Sequence, residues 1–73
     1  MAKLTKPQIE LLNEVVTVGR SNCFSEYPPR RKLVALGYAT EHEGRMGGSW
    51  ITPTAEGKAA HHDLVLAGKV SDQ

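Results

Sequence analysis

Residues 28–54 read PPRRKLVALGYATEHEGRMGGSWITPT, and this stretch decides the fold. It opens on two prolines. Pro29 suits the first turn of a helix, where the N–H it lacks would have no partner anyway. Leu33 and Leu36 then point the same way, and Gly37 is suited to the left-handed conformation that ends a helix. Tyr38, just beyond, is placed to pack back on Leu33, the contact that accompanies a Schellman ending. A helix of about eight residues draws its stability from packing rather than from propensity. Next, YATEHE and SWITP read as strands with GRMGG between them, and three glycines in those five residues supply the positive φ angles of a tight turn. On the second strand Trp50 and Thr52 share one face and Ser49 and Ile51 the other. Pro53 closes it. Met46, in the turn, is the one apolar side chain expected to be exposed.

Toward the N-terminus, Thr5 is a good N-cap and Gln8 completes a capping-box pattern, with Leu4 and Ile9 as a hydrophobic staple. Ile9, Leu12 and Val16 recur at helical spacing, Leu11, Val15 and Val18 widen the stripe, and Gly19 terminates it. The spacing predicts a helix over residues 6–18. Residues 20–28, RSNCFSEYP, have room for one or two helical turns capped by Ser21 or Asn22, with Phe24 and Tyr27 facing the core. Toward the C-terminus, Thr54 is a second N-cap and Glu56 suits the dipole of the helix it starts. Ala60, Leu64 and Ala67 recur along that helix, Ala59 and Leu66 flank them, and Gly68 is its stop. The sum is an α+β domain over residues 1–68, followed by a flexible tail over 69–73. It comprises three short helices, a two-stranded hairpin and a C-terminal helix, with the hairpin lying against the helices.

The 73 residues suffice for one domain with a small core. Hydrophobic residues at 40% and charged residues at 23% are ordinary for a folded soluble chain. Nine Lys or Arg against eight Asp or Glu leave a formal charge of +1, so any nucleic-acid binding must come from a local patch. A single cysteine, Cys23, forms no internal disulfide and reads as a small buried hydrophobe. With no apolar run near the ~18 residues that span a bilayer and no signal-like segment, the expected location is the cytoplasm, with no membrane partner. His61 and His62 are adjacent and so diverge by about 100° on a helix, while His42 sits on a strand, which argues against a shared metal. There is no phosphate-cradling glycine loop before a helix and no nucleophile–base string. An enzyme is not expected, and neither is a cofactor or a small-molecule ligand. Trp50 reads as a packing aromatic of the hairpin.

Several strings resemble winged helix-turn-helix domains of the MarR-like kind. KLVALGY, Lys32 to Tyr38, is similar to that family's ending of the recognition helix. Gly44 to Gly48 looks like the wing tip. Ile51-Thr52 followed by Thr54-Ala55-Glu56-Gly57-Lys58 is similar to the family's step from wing strand into helix. The resemblance covers about residues 4–62. The chain departs from the pattern in three ways. Residues 20–28 are short for the family's second helix and turn, the recognition helix opens with two prolines, and long helical arms for dimerisation are absent. What the resemblance implies is a small bacterial or phage transcriptional regulator. Its recognition helix would enter the major groove of double-stranded DNA, and its wing would touch the backbone or minor groove.

With about 100° per residue, Arg31 projects opposite Leu33 and Leu36, with small Ala35 near it and Arg30 and Lys32 on either side. The expected DNA-binding set is Arg30, Arg31, Lys32, Arg45 at the wing tip, and Arg20 on the same side. Arg31 would read guanine or grip phosphate, and Arg30, Lys32 and Arg45 would neutralise phosphates. A homodimer through Leu64, Leu66 or the first helix would add specificity. The same residues admit another reading. Glu26, Glu41 and Glu43 lie close to the basic groups, and the prolines remove N–H donors that help bind phosphate. On that reading the chain is a protein-interaction module that keeps the fold without binding DNA.

Overall fold

The computed structural model describes residues 4–24, 26–45 and 48–69. They form an α+β arrangement of three helices and one two-stranded antiparallel sheet: α1 (Lys6–Val18), α2 (Pro28–Ala35), β1 (Ala39–Glu43), β2 (Ser49–Pro53) and α3 (Ala55–Leu66). Met46, and the tail beyond Lys69, lie outside the described residues.

The helix ends follow from local chemistry. Gln8 Oε1 accepts the Thr5 N–H at 2.9 Å, one arm of the capping box, and Gly19 closes α1 with φ 102°. α2 ends in a Schellman motif: the Tyr38 N–H reaches the Leu33 carbonyl and the Gly37 N–H that of Val34, with Gly37 at φ 80°. α3 closes the same way around Gly68. Thr54 Oγ1 accepts the Gly57 N–H at 3.0 Å and donates to the Gly37 carbonyl at 2.6 Å, so one hydroxyl caps α3 and ties it to the end of α2.

Leu11, Leu12, Val15, Leu33, Ala39, Ile51 and Ala60 form the buried core. The apolar stripe of α1 is therefore centred on Leu11, Leu12 and Val15, and Val18 at its edge is 70% exposed. Leu64, one of the residues offered for a dimer contact, is half-buried against the core. Leu66 is 73% exposed.

The segment after α1 departs most from expectation. No helix forms among its described residues. The Ser21 N–H donates to the Ile51 carbonyl and the Ile51 N–H to the Ser21 carbonyl, so Ser21 adds a single antiparallel bridge to the free edge of β2. A helical turn starting at Ser21 would leave the inner polar groups of β2 without these partners. At the other end, Pro28 pushes Tyr27 into the extended region (φ −64°, ψ 117°). Tyr27 packs on the core as expected, but Phe24 does not; it is 65% exposed and lies tilted against the Tyr27 ring at 5.6 Å.

Candidate nucleic-acid interface

α2 sorts its side chains by direction. Pro29, Arg30 and Leu33 are buried, while Arg31, Lys32 and Ala35 face solvent. The outward row borders a shallow groove that Gln8, Glu26 and Pro28 complete. Arg31 Nη1 lies 3.9 Å from Glu26 Oε2, with the two side chains 69% and 80% exposed. A long ion pair between exposed groups holds neither partner firmly, so Arg31 stays free to exchange Glu26 for another anion.

Arg30 is not on this surface. It is 1% exposed, one of the largest buried side chains in the molecule. Its Nη2 and Nε donate to Glu41 Oε2 on β1 at 2.8 and 3.2 Å, and its Nη1 donates to the Cys23 carbonyl. The expected phosphate contact from Arg30 thus gives way to an internal ion pair. The reason is spacing: residue 30 lies three before Leu33 and shares its face, and a carboxylate and a carbonyl wait there to satisfy the guanidinium. The sequence offered that i, i+3 relation with Leu33 as a signal, but not the identity of the partner.

Arg45 is exposed in the turn between the strands, which the Gly44 N–H closes on the Gly48 carbonyl at 2.7 Å, with neither Gly44 nor Gly48 at the positive φ expected of them. Arg20 lies against Trp50. The strand register pairs Thr40 with Thr52 and His42 with Trp50, opposite in parity to core-facing Ala39 and Ile51. These four residues therefore form the outer face of the hairpin, turned away from the core. Arg20 joins that face, its guanidinium carbon 5.8 Å from the centre of the Trp50 ring. His42 stacks on Trp50 at 5.6 Å with 17° between the planes, and its Nε2 is 2.8 Å from Thr52 Oγ1. Sequence reasoning placed Trp50 on its face correctly but missed the stack, whose only signal was the cross-strand pairing of positions 42 and 50. The structure thus groups Arg31 and Lys32 on α2, sets Arg45 at the hairpin tip, and puts Arg20 on the outer face and Arg30 inside.

Among the described residues no three His, Cys, Asp or Glu side chains cluster as metal ligands would. His61 instead bonds Asn13 across α1 and α3, at 2.7 Å. Cys23 is half-buried against the core. Among the described residues no helix is long and apolar enough to cross a membrane. No family model, curated protein or solved structure matches the chain.

Proposed function

We propose that this chain is a winged-helix DNA-binding domain of a small transcriptional regulator, with α2 as recognition helix and the β1–β2 hairpin as wing. The observation that carries the reading is the outward row of α2: Arg31 and Lys32 exposed beside small Ala35, with the loose Glu26 contact the one ion pair of Arg31 among the described residues. A helix that presents long cations next to an alanine approaches base edges closely. Its arginine reaches the O6 and N7 acceptors of guanine, and the alanine methyl suits a thymine methyl. Lys32 neutralises phosphate, and Arg45 takes the backbone or the minor groove. Buried Arg30 has no part in this contact, and with Arg20 engaged on Trp50 the proposed site is Arg31, Lys32 and Arg45. No step of bond making is involved; the work is recognition.

The test is titration of a mixed-sequence duplex at low and moderate salt. Wild type binds at low salt and weakens steeply as salt rises, while Arg31→Ala and Arg45→Ala each bind more weakly. Absence of binding at low salt overturns the reading. A second reading, a protein-interaction module, draws on the exposed apolar side chains Val18, Phe24 and Leu66. It predicts a duplex-independent complex that Phe24→Ser or Leu66→Ser weakens.

A further inference from the structure

From the bonds of Arg30 we infer that it is a positioning residue, a strut that sets the angle between α2 and the hairpin and so lets Arg31, Lys32 and Arg45 meet one duplex together. The functional half of this inference rests on the DNA reading. The strut spans a gap that the chain itself leaves open. At its C-terminal end α2 is tied to the hairpin by the Schellman closure through Gly37 and Tyr38, by the Thr54 hydroxyl on the Gly37 carbonyl, and by the Thr54 N–H on the Tyr38 carbonyl. Those bonds lie at one pivot. Leu33 adds packing on the core that includes Ala39 and Ile51, but apolar contact carries no direction and so leaves the angle loosely set. Arg30 supplies a directional second point, about two turns nearer the N-terminus than Gly37. Its fork runs in two directions, to Glu41 in the middle of β1 and to the carbonyl of Cys23 in the segment that follows α1.

Energetics argue for geometry over stability. A buried ion pair roughly breaks even with an apolar replacement of similar volume, because desolvation offsets the attraction. What an apolar side chain lacks is direction. Met in place of Arg30 would fill space and let α2 pivot about Gly37, whereas the planar guanidinium holds its acceptors in set directions. Removing Arg30 also strands no buried charge, since Glu41 is 47% exposed and rehydrates.

The experiment compares wild type, Arg30→Met and Arg30→Lys, with and without Arg45→Ala. Folding is checked by denaturant titration. Amide residual dipolar couplings report the orientation of α2 relative to β1 and β2. In wild type both elements fit one alignment tensor; in Arg30→Met the α2 couplings are scaled down or need a different one. Duplex affinity falls about tenfold in Arg30→Met, and Arg45→Ala then costs little more, because helix and wing no longer engage together. Arg30→Lys keeps the charge but loses the fork, and shows the same coupling in milder form should the Met variant not fold. Dipolar couplings that still fit one rigid body, or effects of positions 30 and 45 that add independently, overturn the strut. Wild type that fails to bind duplex overturns the DNA reading, while the dipolar couplings still decide whether Arg30 sets the angle.

Discussion

Gly57 sits where the first turn of α3 crosses the backbone at the start of the hairpin. A β-carbon built there would lie 2.0 Å from the Tyr38 carbonyl oxygen. No side-chain adjustment relieves this, since the neighbour is main chain and the same oxygen accepts the Thr54 N–H. Gly57→Ala therefore has to push α3 off the hairpin, and is expected to lower unfolding free energy by about 1–3 kcal/mol in a urea titration. Gly48→Ala is the control. Its β-carbon would meet nothing within 4 Å, so a change within about 0.5 kcal/mol is expected. Equal losses at both positions would remove the close-approach argument. Arg30 shows the same dependence on neighbours. Its type reads as surface, its position shares a face with Leu33, and the Glu41 carboxylate decides between the two.

Among the elements, those closed by local chemistry were the ones legible in the sequence. Thr5 and Gln8, Gly37 with Tyr38, and Thr54 with Gly57 all act within a few residues, and α1, α2 and α3 begin and end where those residues predict. The segment between α1 and α2 was not legible. Ser21 takes its conformation from Ile51 on another element, and no pattern within residues 20–28 encodes that partner. The face of Trp50 followed from strand alternation, whereas its neighbours Arg20 and His42 follow from register. Thr54 tests how much a single cap carries at this scale. Its hydroxyl serves both the first turn of α3 and the end of α2. Thr54→Ala is expected to cost about 1–2 kcal/mol, and Thr54→Ser, which keeps the hydroxyl, only a fraction of that in the same denaturation assay. An alanine variant as stable as wild type would show that the sheet and core alone seat α3.

At the scale of the whole molecule, a formal charge of +1 leaves little long-range attraction, so binding to a duplex depends on how many cations reach phosphate at once. In the proposed contact the cations counted are Arg31, Lys32 and Arg45, since Arg30 is internal and Arg20 is held against Trp50. Each phosphate neutralised contributes about −0.9 to the slope of log affinity against log salt, so one copy with all three engaged gives a slope of about −3. Arg31→Ala, Lys32→Ala and Arg45→Ala should each bring it back by about one. Two copies on one duplex would double the slope, from about −2.7 to about −5.4, and the chain has apolar groups that would support pairing in exposed Val18 and Leu66. The slope thus separates a monomer from a dimer on DNA. Repeating the titration with Leu66→Ser separates them again: a slope of about −5 that falls to about −3 in this variant places the dimer contact at the end of α3. A slope unchanged by Arg31→Ala would mean that α2 does not face the duplex, and would leave the exposed row of that helix to a protein partner.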